Sequence, residues 1–369
     1  MKVSIITCHN VYNFGASLQC YALMKFLSEK GHNVSIIDYR PAYLNNHFSF
    51  SAIGNPVWEK SIVRRVIYRA LKFPRRLILL KRKVNFDKFT KRYLKLSESR
   101  YVSFNQLREH PPIADIYICG SDQIWNSVFE NGRDPAFYLQ FAPIGSTKVS
   151  YAASFGTDYL VEGSKKLVVS SLKEFSAISV REVSGVKILN SIGIYNVEKV
   201  LDPVFLLKRY QWEEMVIKSR YNNKFVLVYD FDNSNIIKNI SEKIASYENL
   251  KIYSLNKLNY VHRSFELYGP EEFIGLIKNA EYIVTNSFHA VAFSLIFNKS
   301  FWVVRRKEKL NSRMEDLLGE LNISERIISE DKDEDYLCQK IDYKSVNKLI
   351  HDQINISMDF ISLITKDLI

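Results

Sequence analysis

The sequence predicts an α/β protein of two Rossmann-like domains that face one another across a cleft. Three observations carry this reading. Short apolar runs alternate with stretches of helical period along most of the 369 residues. The runs form two series, separated by a polar stretch at 218–224. The unusual polar residues collect just after the apolar runs, where an open parallel sheet binds ligands.

Lys2–Thr7 reads as the first strand, Ala16–Glu29 as an amphipathic helix closed by Lys30-Gly31, and Asn33–Tyr39 as the next strand. This β-α-β unit opens a parallel sheet. Further strands are predicted at Asp115–Cys119, Lys148–Ala153, Ala177–Val180 and Val197–Leu201. The second series runs through Lys224–Tyr229, Lys251–Leu255, Tyr282–Val284 and Phe301–Val304. The expected division is an N-terminal domain over 1–217, a C-terminal domain over 218–345, and a helix over 346–369 that packs back on the first domain.

Composition excludes several classes. The longest apolar candidate, Ala290 to Val304, is broken by Asn298, Lys299 and Ser300, so no membrane span is predicted. Val3-Ser4-Ile5-Ile6 is too short for the apolar region of a signal peptide, so a cytoplasmic location is expected. Cys8, Cys20, Cys119 and Cys338 match neither zinc nor redox-pair spacing and are expected to be reduced thiols, with Cys8, at a strand end, the one to watch. The net charge of +11 is local. Residues 60–95 hold 14 Lys and Arg against Asp87 alone, which is +13, and the remaining 333 residues sum to −2.

The strand ends carry the candidate site. The first is followed by His9, Asn10, Asn13 and Gly15; another by Asp122, Gln123 and Trp125; a third leads to Arg181-Glu182. In the second series, Ser287 and His289 open a helix, and Val304 leads into Arg305-Arg306-Lys307-Glu308-Lys309. Each has a plain structural reading beside the functional one. Ser287 is a natural N-cap, Asp122 suits a turn brace, Arg181 suits an ion pair with Glu182, and Trp125 suits core packing. Their recurrence at equivalent places in the topology argues for one shared site. There is no Walker A loop and no GxGxxG. Asp230-Phe231-Asp232 has no second acidic cluster beside it, and no metal is expected.

At these residues the chain resembles the polysaccharide pyruvyl transferase family, over about residues 3 to 326. The elements that carry the likeness are Asn13-Phe14-Gly15-Ala16 with Leu18-Gln19 and Tyr21-Ala22-Leu23, Gly120 to Asn126, Ser179 to Glu182, Leu201-Asp202-Pro203, Ser287-Phe288-His289 and Asn311-Ser312-Arg313. The resemblance implies a fold like that of GT-B glycosyltransferases, phosphoenolpyruvate as donor and a saccharide acceptor, commonly lipid-linked, in capsule or exopolysaccharide assembly. It implies His289 as the catalytic acid and Arg181 and Lys309 as donor ligands, with the acceptor on the N-terminal side. No cofactor is implied. Ser287 stands where some members carry an arginine, so Arg305, Arg306 or Arg313 would have to supply the missing cation. Ala290 and Ser300 replace a common glycine and proline.

The chemistry suits these residue types. A donor carrying a carboxylate and a phosphate on one carbon needs at least two cations, preferably with a bidentate arginine. A histidine suits proton delivery to its methylene carbon. Two other readings stand beside this one: a GT-B glycosyltransferase using a nucleotide sugar, and a basic nucleic-acid-binding protein. The first predicts an acidic ribose-binding residue that cannot be singled out here. The second rests on residues 60–95 alone and leaves the strand-end motifs without purpose, so no nucleic-acid partner is expected. The basic segment is instead expected to dock the enzyme at the inner face of the cell membrane. Trp58, Ile62, Val66 and Ala70 form an apolar stripe, a helix break is expected at Pro74, and Leu77–Leu80 add a second apolar stretch.

Overall fold

The apolar runs resolve into two parallel sheets in a computed structural model that describes residues 1–45, 61–216, 224–307, 311–330 and 332–366. The first sheet holds β1 (Lys2–Ile6), β2 (Asn33–Tyr39), β3 (Leu96–Tyr101), β4 (Ile116–Cys119) and β5 (Thr147–Ser150) in the order β3-β2-β1-β4-β5. All its pairings are parallel. A parallel pair, β6 (Ile178–Val180) and β7 (Val197–Lys199), continues it through single bridges from Val149 to Ala177 and from Ala153 to Val180. The second sheet holds β8 (Phe225–Tyr229), β9 (Lys251–Ser254), β10 (Arg263–Ser264), β11 (Tyr282–Thr285), β12 (Ser300–Val304) and β13 (Ile327–Ile328). Its order is β10-β9-β8-β11-β12-β13, again all parallel. In both sheets the strand order reverses beside the first strand, which opens a crevice at the carboxyl ends.

Three strands were not predicted. β3 reads Leu-Ser-Glu-Ser-Arg-Tyr, an edge strand with little apolar signal, and β10 and β13 are two-residue edges. Of the predicted linker 218–224, only Lys224 is among the described residues.

The helices position the site. α1 (Phe14–Glu29) starts two residues earlier than predicted, because the Asn13 side chain caps it, accepting from the N–H groups of Gly15 at 2.9 Å and Ala16 at 3.3 Å. It is buried almost all round rather than along one stripe, since it lies between its own sheet and the second domain. Phe14 stacks on Phe273 at 4.8 Å and meets Tyr229 edge-on at 5.8 Å, so a single apolar core runs through both halves.

The segment expected to break at Pro74 is one helix, α2 (Ile62–Tyr93), capped by Ser61. Proline removes one hydrogen bond, but tertiary contacts on its far side hold the helix. Phe86 and Phe89 are buried in the core, and the Arg82 guanidinium lies 4.7 Å over the Phe14 ring. Arg82 also donates to the backbone carbonyls of Glu266 and Tyr12, one from each half of the molecule. Trp58 and Lys60 lie outside the described residues.

Four further helices matter here: α3 (Val183–Ser191), α4 (Pro270–Asn279, which carries Phe273), α5 (Phe288–Ile296) and α6 (Ser312–Glu320). The last helix, α7 (Tyr343–Lys366), bridges the halves. The Tyr343 hydroxyl donates to the Lys299 carbonyl of the second, while Ser357 accepts from the Leu201 N–H of the first at 2.9 Å and Phe360 packs near Tyr151.

Candidate active site

The crevices of the two sheets face each other across a cleft of about 670 Å³. From the first half it is lined by Cys8, Asn13, Asp122 and Gln123, and from the second by Ser287, His289, Arg306 and Arg313.

At its wall a buried cluster joins residues distant in sequence. Arg181 follows β6 and is almost wholly buried. Its Nη1 donates to Oδ2 of Asp202, a buried residue just beyond β7. The same Oδ2 lies 3.4 Å from Nε2 of His289, although the two are not aligned for a hydrogen bond. It also accepts from the Ser121 hydroxyl at 3.4 Å, while Oδ1 accepts from the N–H of Val204. Burial works against the charge on Asp202, but His289 and Arg181 outweigh it and hold the carboxyl below the usual carboxylate range.

Arg313, on α6, completes the cluster. Its Nη1 lies 3.8 Å from Oδ1 of Asp122, and Arg181 Nη2 lies 3.6 Å from the same oxygen. Both guanidiniums lie over the ring of Phe288, Arg181 at 4.6 Å and Arg313 at 5.5 Å. Burial, then repulsion from Arg181, pulls Arg313 down to about 10. It therefore remains a cation at neutral pH. Burial also opposes the charge on Arg181, but Asp202, Asp122 and Glu182 more than compensate and raise it. Arg181 Nε and Nη2, Arg313 Nε and His289 Nε2 are buried nitrogens without a hydrogen-bond partner. Buried donors are normally satisfied, and here these Arg181 and His289 nitrogens have only the carboxylates of Asp122, Glu182 and Asp202 at 3.4–3.9 Å. Of the cluster, Arg313 and His289 line the cleft and Arg181 lies behind them.

Glu182 braces the neighbouring loop. Its Oε1 accepts from the Ser154 hydroxyl and the N–H groups of Phe155 and Gly156. Burial raises it, against the pull of Arg181.

His289 is the second residue of α5, which Ser287 caps by accepting from the N–H of Ala290 at 3.5 Å. Its ring crosses the domain boundary and lies directly on Gly15. Gly15 thus makes room for the imidazole.

The other sequence-predicted residues divide. Asn13 caps α1 at the cleft, and Gln123, which accepts from the Asn126 amide at 3.0 Å, also lines it. Asp122 lines it in a left-handed backbone conformation, φ 73°. Arg306 lines it 5.0 Å over Phe231. Arg305 instead pairs with Glu315 at the surface, 2.6 Å away. His9 and Asn10 are buried behind the wall, His9 bonding Asp38 at 3.0 Å. Trp125 is a core residue: its indole N–H donates to the Phe137 carbonyl at 2.9 Å and its ring stacks on Tyr138. Lys309 lies outside the described residues. Cys8 lines the cleft, but burial and then Asp122 and Asp134 push its thiol up, away from thiolate character. Asp230 braces its own loop, accepting from the N–H groups of Asp232 and Ser234 and from the Asn286 amide. Among the described residues no group of three or more acidic, His or Cys side chains is placed to hold a metal ion.

Sequence reasoning did not single out Asp202 as a site residue. The only signal was its place in Leu201-Asp202-Pro203.

Comparison with known proteins agrees with this architecture. No curated protein matches the chain. Among solved structures, a protein described as a UDP-N-acetylglucosamine 2-epimerase from Listeria monocytogenes is similar over 98% of this chain and 95% of its own, with 9% identity and a TM-score of 0.52. The UDP-GlcNAc 2-epimerase of Neisseria meningitidis is aligned over all of both chains, at 13% identity and a TM-score of 0.49. At 9% identity the likeness to the Listeria protein concerns the fold alone, which is GT-B-like: two Rossmann-like domains around a cleft. The family model for polysaccharide pyruvyl transferase matches residues 13–308. That stretch contains Asn13, Arg181, Asp202 and His289, and the chain belongs to the polysaccharide pyruvyl transferase family.

Proposed function

We propose that the protein transfers the enolpyruvyl unit of phosphoenolpyruvate to a sugar hydroxyl and closes it into a pyruvate ketal on a surface-polysaccharide precursor. The observation that carries this reading is the cluster of Arg181, Arg313 and His289, with its unpartnered buried nitrogens, at the wall of a 670 Å³ cleft. In this reading Arg181 and Arg313, with Arg306 on the cleft, hold the donor's carboxylate and phosphate. Arg313 then supplies the cation that Ser287 lacks.

His289 delivers a proton to the methylene carbon, and the cationic centre that develops is attacked by the first hydroxyl. Phosphate leaves as the second hydroxyl of the same sugar closes the ketal. Of the two hydroxyl protons, one replaces the proton given to carbon and the other leaves on phosphate. Asp202 holds Arg181 and lies beside the imidazole, and so keeps cation and acid in register. The reaction as written calls for no metal or redox cofactor.

The test is to incubate the protein with phosphoenolpyruvate and a panel of synthetic and lipid-linked glycosides, following the acceptor by mass spectrometry and phosphate release in parallel. A ketal mass with stoichiometric phosphate is expected. Transfer from a nucleotide sugar, with none from phosphoenolpyruvate, would replace this reading with glycosyl transfer.

A further inference from the structure

Over its first turns, α2 sorts its side chains into two halves. Ile62, Val63, Val66, Ile67, Leu71 and Leu77 fall on one half of the helical wheel, and Arg64, Arg65, Arg69, Lys72, Arg75 and Arg76 on the other. The apolar half faces solvent: Ile62 is 77% exposed, Val63 67% and Leu71 67%. Solitary exposed apolar residues are ordinary, but a continuous stripe of them beside a row of cations is not. An outward apolar stripe flanked by Arg and Lys is the pattern of a helix lying in a lipid–water interface, its stripe among acyl chains and its cations at anionic headgroups.

The placement of α2 gives this surface a purpose. Arg75, Leu79 and Arg82 line a second cavity, which shares Asn13 and Phe231 with the main cleft. Asn256 and Glu266 also line this cavity, and Arg75 holds Glu266 through two bonds of 2.8 and 2.7 Å. The helix thus carries an exposed apolar and basic surface and also lines a cavity that shares Asn13 and Phe231 with the cleft holding His289. In contrast, no helix among the described residues is long and apolar enough to cross a membrane.

We infer that α2 docks in the plane of an anionic membrane surface with its apolar stripe in the lipid and the opposite face, which carries Arg75, Leu79 and Arg82, turned toward the protein, so that the enzyme is held at the bilayer where a saccharide on a lipid anchor is presented. The reason for docking rests on the proposed reaction; the docking itself does not, and it is read without any turnover.

The experiment is co-sedimentation of the full-length protein with phosphatidylcholine vesicles, with and without phosphatidylglycerol, at low and high sodium chloride. Sedimentation with the anionic vesicles that falls with salt is expected. Val66→Asp with Ile67→Asp should abolish it while circular dichroism and thermal melting stay unchanged, and each of Arg64→Glu and Lys72→Glu should weaken partition at least about fivefold. Failure to sediment with anionic vesicles at low salt overturns the proposal. So does equal binding by the aspartate variant, or a soluble dimer that this variant converts to monomer, since a second copy would then be the occupant. Retention on nucleic acid in place of vesicles also overturns it. Absence of pyruvyl transfer in the preceding assay leaves the vesicle result unaffected, so the two failures are separable.

Discussion

A β-carbon placed on Gly15 would stand 1.9 Å from Nδ1 of His289. The first helix of one domain and the first turn of a helix in the other therefore meet with only a hydrogen between backbone and imidazole. Gly15→Ala should displace the ring, and a displacement of about 1 Å in an acid can cost on the order of 10² in rate. Steady-state kinetics and a melting curve should show a large loss of turnover with a stability loss of only about 1–3 kcal/mol, the usual size of overpacking. Wild-type turnover in the alanine variant would mean that the ring's position does not matter.

His289→Ala should lower turnover by roughly 10²–10⁴, the range of acid–base catalysis. Donor affinity should change less, because the cations that hold the donor remain. Single-turnover measurements with saturating phosphoenolpyruvate separate these effects. Near wild-type turnover would remove His289 from the chemistry.

The two arginines should fail in different ways. Arg181 is tied to Asp202, so Arg181→Ala loses a donor ligand and leaves a buried carboxylate unpaired. It should raise the donor requirement sharply, with only partial rescue by Arg181→Lys, which cannot reproduce the fork. Arg313→Ala should raise the donor KM with less effect on folding, as its closest acidic contact is 3.8 Å away. Unaltered donor affinity, by calorimetry, in both variants would contradict the assignment.

Asp202 predicts a pH signature. His289 and Arg181 overcome the effect of burial and depress its carboxyl. A depressed carboxylate contributes its full stability above the unfolded value of about 4. It loses that stability as pH falls through the folded value. Asp202→Asn should therefore cost about 3–5 kcal/mol near neutrality, the usual result of breaking a buried pair. The gap between wild type and variant should narrow in denaturant titrations below about pH 4. A gap that stays constant down to about pH 3 would show that the charge contributes no stability.

Much of the architecture is written locally. The run Asn33–Tyr39 is the strand it was predicted to be, and most other apolar runs differ from the observed strands by one or two residues at the ends. A parallel strand covered on both faces is specified by a short run of apolar side chains, as in Phe225–Tyr229, and such runs are visible in the chain. The edge strand Leu96–Tyr101 was not legible because its pairing with β2 comes from the neighbouring strand, not from its own composition. Pro74 was read from local preference alone, and contacts made by Arg82 and Phe86 with distant residues carry the helix through it.

By itself, then, the sequence determined the parallel α/β plan, the positions of the strand-end motifs, the basic character of residues 60–95 and the family. The tertiary structure alone decided that Asp202 joins Arg181 to His289, that Gly15 serves the imidazole, that Arg313 and Arg306 reach the cleft while Arg305 does not, and that the apolar stripe of α2 faces solvent. The physical reason is range. Periodicity and turn chemistry act between near neighbours, whereas Arg181, Asp202, His289 and Arg313 come together only once two separately wound sheets are packed crevice to crevice around Phe14 and Phe273.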